Sequence, residues 1–346
     1  MSIYIYILII ILFLSVFNNL KNNKYYSYIA YLILFLIAAF RSAEIGNDLN
    51  GYIDVFQLDI DRGIKGELEW GYKIISNVLL KYSDDASWYI FSTSTLIFVP
   101  FYILLLKKSN NPIFSLLIFF IIGIGFGFFL TAIRQAMAVA ICFWAFNFFE
   151  NKKYFYFVIL VLIASTIHMS ALFCLLFLLI TIFLPSSKKI LLFSLYISVL
   201  IGFVSRINVF DFLPILSKIP GFSGAAGIYS FYTDYHTNIS PNFNGLFLTI
   251  IPISIFAYFG IKYDPNSLYS RLLYTGVILT NVFASTPSIP RYFVYLTIFQ
   301  ILVIPKVYPL LKKEEKFIVH LVMSLLITYF LFFSLKINGI YMYSFN

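Results

Sequence analysis

Apolar runs follow one another along nearly the whole chain and are separated by short polar clusters. A bilayer core about 30 Å thick requires about 20 apolar residues in a helix, which these runs approach or exceed. The pattern predicts an all-α, polytopic integral membrane protein with about twelve transmembrane helices in a single domain, 1–346. The predicted spans are residues 2–17, 27–40, 88–106, 112–126, 130–149, 154–167, 169–184, 189–204, 244–261, 268–284, 291–305 and 317–335.

Two of the apolar runs are too long to be read as simple crossings. The run 112–149 would be about 57 Å long as one helix, so it must turn, and Gly123, Gly125 and Gly127 provide a place to do so. The run 154–184 would be about 46 Å long, which is long for one crossing and short for two. A tight hairpin near His168 is predicted there, with a single tilted helix as the alternative.

The charge of the loops alternates from one predicted span to the next. One set of loops contains 14 basic and four acidic residues, and the other contains 10 basic and 11 acidic residues. The positive-inside rule places the first set in the cytoplasm, so both termini are predicted to face outward. The outward set includes two longer segments, 41–87 and 205–243. Within the first, Trp70–Leu80 is amphipathic and predicts a short helix lying on the membrane.

The composition agrees with a membrane protein and excludes a separate soluble domain. The chain is 61% hydrophobic and 11% charged, whereas soluble domains carry roughly 25% charged residues. The formal charge of +9 comes mostly from lysine and arginine in short loops, which indicates membrane topology and lipid contact, with no nucleic acid as partner. Cys142 and Cys174 lie inside apolar runs, so no disulfide framework is predicted.

Arg134 is the clearest candidate for a functional residue inside an apolar stretch. A charge in the hydrocarbon costs about 2.5–3.5 kcal/mol on insertion scales, so it demands a reason. The arginine could snorkel to the interface, about one turn away. Snorkelling does not account for the neighbouring Gln135, a second polar group in the same stretch, and we therefore favour a functional role.

Three further residues reach the same predicted outer layer from other parts of the chain. His168 is either a hydrogen-bonded turn residue or a proton acceptor or phosphate contact. Arg41 and Arg291 end or begin spans on the outer side, and could instead pair with a nearby carboxylate or anchor the interface. Because guanidinium groups bind phosphate bidentately and stay charged, Arg41, Arg134 and Arg291, with Gln135, predict a site for a lipid-linked phosphate or pyrophosphate.

Acidic and aromatic residues of the segment 41–87 extend this predicted site. Asp48 and Glu69 are candidates for deprotonating a sugar hydroxyl, although His168 is preferred as the base. Tyr52, Trp70 and Tyr72 could stack on sugar rings or simply pack at the interface. Neither His236 nor His320 has partners at metal-ligand spacing, so no metal site is predicted. The sequence also contains no phosphate-binding glycine loop.

The order of these features resembles a known family. The quoted residues fall into four motifs: Arg41, Gly46, Asp48 and Tyr52; Glu69, Gly71 and Tyr72; Arg134, Gln135 and Ala138; and Ile167, His168, Ser170 and Ala171. Together they resemble the EpsG branch of the Wzy-type O-antigen and exopolysaccharide polymerases over residues 41–171. The later half of the chain matches only in hydropathy and in Arg291, and the long segment 205–243 departs from the pattern.

The resemblance implies a fold loosely like that of membrane glycosyltransferases that use lipid-phosphate donors. It implies transfer of a glycan from undecaprenyl pyrophosphate to another lipid-linked repeat unit, building O-antigen, lipopolysaccharide or capsule outside the bacterial cytoplasmic (inner) membrane. No cofactor would be needed, and a chain-length regulator is a further candidate partner. The family's arginine, aspartate and histidine positions would correspond to Arg41, Asp48, Arg134 and His168.

Two other functions compete with polymerisation. A flippase or transporter of lipid-linked oligosaccharides should place charge near the bilayer midplane and show internal symmetry. A membrane O-acyltransferase would need a histidine accessible to a cytoplasmic acyl donor. In this chain the polar residues gather at one edge, no repeat is visible, and His168 is predicted to face outward, so the polymerase is favoured. The leaving pyrophosphate would be stabilised by fixed arginines.

Overall fold

The computed structural model describes residues 2–21, 25–57, 68–204, 243–284, 286 and 289–345. These residues form helices and turns, and their only strand-like pairing is an isolated antiparallel bridge between Arg41 and Phe345. The predicted all-α class is therefore confirmed. The predicted outer segment 205–243 falls outside the described residues, except for its last residue.

The helices follow the apolar runs closely. They are α1 (Ser2–Lys21), α2 (Tyr25–Ala39), α3 (Leu49–Gln57), α4 (Trp70–Leu80), α5 (Ala86–Lys108), α6 (Pro112–Ile121), α7 (Phe126–Thr131), α8 (Ile133–Glu150), α9 (Tyr154–Ile167), α10 (Phe173–Ile182), α11 (Lys188–Val204), α12 (Phe243–Tyr263), α13 (Leu268–Val282), α14 (Ile289–Thr297), α15 (Gln300–Val307), α16 (Lys313–Tyr329) and α17 (Leu335–Ile337). A π-helical segment, Phe330–Ser334, joins α16 to α17.

Three helical segments of the described chain are long and apolar enough to cross a bilayer: Ala86–Lys108, Arg291–Leu310 and Lys313–Ile337. Shorter apolar helical stretches, of 10 to 17 residues, are Ile3–Phe17, Tyr25–Ala39, Pro112–Ile121, Tyr154–Ile167, Met169–Ile182 and Ile250–Tyr263. The chain is thus a helical membrane protein, while the count of twelve spans stays a prediction. The predicted short helix Trp70–Leu80 is confirmed with the same bounds.

Several predicted spans are interrupted. The predicted span 112–126 is wrong as a continuous helix, because α6 ends at Ile121 and a turn separates it from the short α7. That turn includes Gly123 and Gly125, as predicted from the length of the run. With ten residues, α6 extends about 15 Å, or half of a bilayer core. The predicted span 291–305 falls within the helical segment Arg291–Leu310, although a two-residue turn at 298–299 separates α14 from α15.

The charged loops predicted to be cytoplasmic meet at one end of the helical bundle. Lys108 at the end of α5 pairs with Glu150 at the end of α8, at 2.6 Å between Nζ and Oε2. Lys306 of α15 pairs with Asp264 after α12, also at 2.6 Å. We call this the lysine-rich end, defined by these four residues. Its formation confirms that these loops share one side of the protein.

The chain reverses direction at His168. The Arg271 guanidinium donates to the carbonyl of Leu184, just after α10, at 2.7 Å. Two residues earlier in α13, Tyr269 donates to Glu150 at 2.8 Å, and α9 begins at Tyr154 directly after that helix end. The start of α9 and the end of α10 therefore both lie at the lysine-rich end. This confirms the hairpin and excludes the single tilted helix.

The opposite end of the bundle holds both termini and the segment after α2. The rings of Tyr4 and Tyr343 lie 5.9 Å apart, and the Ser42 backbone N–H donates to the Ser344 carbonyl at 2.9 Å. The hairpin at His168 also reaches this end. We call it the site end, because the predicted functional residues lie there.

Candidate active site

Glu69, the residue before α4, joins two of the predicted functional residues. Its Oε2 lies 2.6 Å from Nη1 of Arg134. Its Oε1 accepts the Met169 backbone N–H at 3.1 Å and lies 3.2 Å from Nδ1 of His168. An ionised carboxylate can only accept hydrogen bonds, so this contact places the imidazole proton on Nδ1 and leaves Nε2 as the acceptor. The side chain of Glu69 is only 16% exposed.

The surroundings of Glu69 favour its ionised form. Burial of the carboxyl acts to raise its pKa, but the hydrogen bonds from His168, from the backbone and the charge of Arg134 outweigh it. Together they lower the pKa of Glu69 from 4.5 to about 2. A carboxylate held this strongly is a weak proton acceptor, which favours a positioning role over the predicted role as a base.

A glycine lets α4 approach α9 closely enough to form this contact. A Cβ on Gly71 would lie 2.1 Å from Oγ1 of Thr166 and 2.8 Å from its carbonyl oxygen. Thr166 comes two residues before His168, so the close approach brings the start of α4 onto the hairpin turn. The Glu-x-Gly-Tyr motif thus has a packing reason for its glycine.

Arg134 is the second residue of α8, where the unpaired backbone N–H groups carry partial positive charge. Its Nε donates to the Tyr52 hydroxyl at 3.4 Å, and its guanidinium carbon lies 5.4 Å and 5.8 Å from the ring centroids of Tyr52 and Tyr72. No hydrogen bond within the described part of the chain reaches its Nη2. Arg134 can therefore bind an anion through Nη2 while Glu69 holds Nη1.

Gln135 ties the start of α8 to two other parts of the site. Its Nε2 donates to the Arg291 carbonyl at 2.7 Å and to Oγ of Ser170 at 3.4 Å. Ser170 in turn lies 2.8 Å from the hydroxyl of Tyr295. This chain of hydrogen bonds fixes the beginning of α14 against the hairpin turn. In the structure these contacts hold the site together, and the predicted contact of Gln135 with pyrophosphate stays a prediction.

Arg291 and Asp48 face each other on the exposed side of the site. Nη1 of Arg291 lies 4.0 Å from Oδ2 of Asp48, and both side chains are well exposed to solvent. The guanidinium carbon of Arg291 also lies 6.0 Å from the ring centroid of Phe128. At this separation the ion pair is loose, so Arg291 can bind another anion.

Arg41 lies behind the site and does not face it. Its residue is 1% exposed, and its guanidinium donates to the carbonyls of Ala38 and Leu130 and to Oγ of Ser94. These carbonyls belong to the last turns of α2 and α7, which lack partners within their own helices. The prediction that Arg41 contacts pyrophosphate is therefore not supported, because burial gives a ligand no access to it.

Gly46 packs this segment against the same helix end. Its backbone φ is +116°, and a Cβ there would lie 3.0 Å from the Leu130 carbonyl oxygen. Only glycine adopts this conformation without strain. The Arg-x-x-x-x-Gly spacing of the motif therefore fixes the segment that presents Asp48 and Tyr52 to the site.

The three predicted sugar-stacking residues have different surroundings. Trp70 is 64% exposed and is available to a ligand. Tyr52 is half-buried against Arg134. Tyr72 is 1% exposed and shares a hydrogen bond with the hydroxyl of Tyr89, so it cannot stack on a sugar, and that prediction is not supported. Its ring instead lies behind the guanidinium of Arg134.

Sequence reasoning missed Tyr295 and Tyr89. Tyr295 lies one helical turn after Arg291, and this spacing was the only feature of the sequence that could have indicated it. Its partner Ser170 is part of the motif around His168, but the sequence assigns it no role. Tyr89 lies near the start of the predicted span 88–106, and nothing in the sequence distinguished it from the other aromatic residues. Among the described residues, no group of three or more His, Cys, Asp and Glu side chains could hold a metal ion.

The comparison with known proteins supports the resemblance seen in the motifs. The model of the EpsG family, which are Wzy-like polymerases, matches residues 24–345, nearly the whole chain. No curated protein matches the chain. No solved structure matches it either. Because the family model covers both the site and the later helices, the chain belongs to the EpsG family of Wzy-like polymerases.

Proposed function

We propose that this protein is a polysaccharide polymerase, building O-antigen or capsule. It transfers a glycan from undecaprenyl pyrophosphate onto the end sugar of another lipid-linked repeat unit, at the outer face of the bacterial cytoplasmic membrane. The observation that carries the proposal is the bridge of Glu69, whose two oxygens hold a guanidinium and an imidazole side by side. A cation for a leaving group next to a base for a nucleophile is what glycosyl transfer from a pyrophosphate requires.

The reaction balances without a further reactant. The hydroxyl oxygen of the acceptor sugar forms a bond to the anomeric carbon of the donor glycan. The bond between that carbon and the phosphate oxygen breaks, and its electron pair leaves with the pyrophosphate. The hydroxyl proton passes to Nε2 of His168.

His168 is the proposed base because its geometry suits proton transfer. Glu69 accepts from Nδ1, which fixes the tautomer with a free Nε2 and stabilises the imidazolium that forms. The same arrangement of carboxylate and imidazole supports the base of hydrolytic triads. Asp48 is well exposed and faces Arg291, so we assign it to the exposed rim of the site.

Arg134 and Arg291 are the proposed cations for the pyrophosphate. Gln135, the residue after Arg134 in α8, donates to the backbone carbonyl of Arg291. This hydrogen bond fixes the position of Arg291 relative to Arg134. Cations fixed in place before the reaction stabilise developing negative charge more effectively than mobile ones. We assign Arg41 and Tyr72 the role of positioning Arg134. Arg41 binds the carbonyl at the end of α7, the helix that precedes Arg134 in the chain, and the ring of Tyr72 packs against the Arg134 guanidinium.

The separation of charge between the two ends supports an outward-facing site. The lysine-rich end carries the basic loops that the positive-inside rule assigns to the cytoplasm. Glu69, Arg134 and His168 lie at the other end. The acceptor and donor sugars would then be outside the cell, and the lipid chains would enter from the bilayer.

Arginine variants in living cells test the proposal. A strain lacking this protein would be complemented with wild type, Arg134→Ala or Arg134→Lys, and its surface polysaccharide resolved on a gel. Arg134→Ala should leave protein in the membrane and single exported repeat units, because losing one fixed cation costs about 10²–10³ in rate. Arg134→Lys should restore part of the long-chain product, since lysine keeps the charge but cannot bind bidentately.

A matched control removes a cation from the lysine-rich end. Lys107→Ala should leave long-chain polysaccharide unchanged, because this residue is exposed and distant from the site. Normal long-chain polysaccharide from Arg134→Ala would rule out the proposed role of Arg134 in stabilising the leaving pyrophosphate. Repeat units that stay unexported in the deletion strain would indicate a flippase instead.

A further inference from the structure

A cavity of about 330 Å³ adjoins the active site, and Arg291 lines it. Other walls are formed by Ile253 of α12, Thr280 of α13 and Leu326 of α16. Gly123, in the turn after α6, closes another side. The cavity thus reaches from the site end in among the helices of the bundle.

Three interruptions of regular helix border this one cavity. The turn between α6 and α7 contributes to it, and Thr297 and Gln300 flank the break between α14 and α15. Tyr329 precedes the π-helical segment and Ser334 ends it. Within a membrane, irregular backbone is tolerated only where protein buries it or where it lines a cavity. Broken helices and π-helical turns often border binding sites, so their convergence points to a ligand.

The walls of the cavity suit an apolar chain. Most of its uncharged polar side chains donate within their own helices: Thr280 to Gly276 at 2.7 Å, Thr297 to Phe293 at 3.1 Å and Gln300 to Thr297 at 3.0 Å. Asn338 likewise donates to the Ser334 carbonyl at 3.0 Å. These groups need no polar partner from a ligand. Apart from Gly123, Arg291, Tyr329 and Ser334, the other lining residues are apolar: Ile122, Ile124, Phe128, Ile253, Leu326 and Ile337.

Arg291 gives the cavity one cationic wall. Its ion pair with Asp48 is loose at 4.0 Å, and its backbone is fixed by Gln135, next to Arg134. A ligand that fits has an anionic head for Arg291 and an apolar chain for the rest of the cavity. The volume is at the lower end of about 300–1,000 Å³ for ligand pockets, so it takes only a short length of such a chain.

We propose that this cavity binds the first isoprenoid units of the polyprenyl pyrophosphate donor, with the pyrophosphate at Arg291. The inference rests on the proposed function and names where the lipid of the donor is held. The glycan then projects toward His168, and the remainder of the lipid chain continues into the bilayer.

Filling the cavity tests this assignment in purified full-length protein. Geranylgeranyl pyrophosphate should raise the Tm of wild type and of Ile255→Trp, but not of Ile253→Trp, whose indole would occupy the cavity. Ile255 is the control because it is half-buried on the same helix and does not line the cavity. An equal rise of Tm in Ile253→Trp would overturn the proposal.

A milder substitution keeps the test valid if the tryptophan variant does not fold. The Ile253→Cys thiol would be labelled with N-ethylmaleimide, which the two buried native cysteines should resist. Geranylgeranyl pyrophosphate at ten times its Kd should slow this labelling roughly tenfold, by occupancy alone. Inorganic pyrophosphate should not slow the labelling of Ile253→Cys. Neither compound should change the labelling rate of Ile255→Cys. Labelling of Ile253→Cys that the lipid leaves unchanged would overturn the proposal.

The outcome is separable from that of the proposed function. Arg134→Ala could abolish long chains while the lipid leaves the labelling rate of Ile253→Cys unchanged. The proposed polymerase function would then be supported, and the assignment of the cavity would be wrong. If long chains persist in Arg134→Ala, the polymerase mechanism fails whatever the cavity binds.

Discussion

At the scale of single residues, the carboxylate of Glu69 organises the candidate site. It accepts from His168 and pairs with Arg134, so one charge orients both the proposed base and a proposed phosphate ligand. From the sequence, Glu69 was itself a candidate base. The structure instead gives it two occupied oxygens and a pKa lowered to about 2, which makes it a positioning residue.

The lowered pKa of Glu69 predicts how stability depends on pH. A carboxyl whose folded pKa lies below its ordinary 4.5 stabilises the fold fully above pH 4.5, and this contribution is lost as pH falls toward 2. The Tm of wild type should therefore exceed that of Glu69→Gln at pH 6.5, and the difference should shrink below pH 4.5. Thermal unfolding in detergent at several pH values measures it.

The control for this effect is Glu44→Gln, which removes an exposed carboxylate from the same segment. Its Tm curve should follow that of wild type. A difference between wild type and Glu69→Gln that grows as the pH falls would contradict the assigned pairing. Polymerisation by Glu69→Gln should also fall by about 10²-fold or more, because an unoriented imidazole loses the advantage of a positioned base.

Packing between α4 and α9 decides the geometry of the site at the scale of secondary-structure elements. Helix α4 carries Glu69 at its start, and α9 ends at the turn that holds His168. Gly71 leaves no space for a side chain between them. The distance between the carboxylate and the imidazole therefore depends on a backbone contact two residues away in each segment.

A methyl group at Gly71 should separate the two helices. Gly71→Ala brings Cβ into collision with the backbone and side chain of Thr166, and overpacking of this kind costs about 1–3 kcal/mol. We expect a lower Tm together with loss of long-chain polysaccharide. Gly51→Ala is the matched control, because a Cβ at Gly51 meets nothing within 4 Å. If the two variants had the same Tm and made the same amount of long-chain polysaccharide, the contact between α4 and α9 would not determine the geometry of the site.

The whole molecule separates its charges between two ends. Lys108, Lys262 and Lys306 pair with carboxylates at or beside the lysine-rich end, where Arg271 also lies. Arg134, Arg291 and His168 lie at the site end. Because charged groups are excluded from the bilayer core, we expect the two ends to lie on opposite sides of the membrane.

Labelling of intact cells should reveal which end faces outward. An Asn50→Cys thiol, exposed at the site end, should react with a membrane-impermeant maleimide. A Lys107→Cys thiol, exposed at the lysine-rich end, should react only after the cells are opened. The reverse pattern would place the site in the cytoplasm and exclude a polymerase that works outside.

The sequence by itself determined the helical class, the reversal at His168, the clustering of the basic loops and the short helix Trp70–Leu80. These follow from local properties, namely the length of apolar runs and the placement of charge, which the bilayer constrains directly. It also identified Glu69, Arg134 and His168, because polar groups in or beside apolar stretches need a reason to be there.

Only the tertiary structure decided how these residues are paired. The contacts of Glu69 join residues 65 and 99 positions away, and no local pattern specifies them. Burial separated Arg41 and Tyr72 from the ligand-accessible groups, although their motifs look alike in sequence. The turn between α14 and α15 was likewise hidden, since an apolar run has the same hydropathy whether its helix is regular or interrupted within a packed bundle.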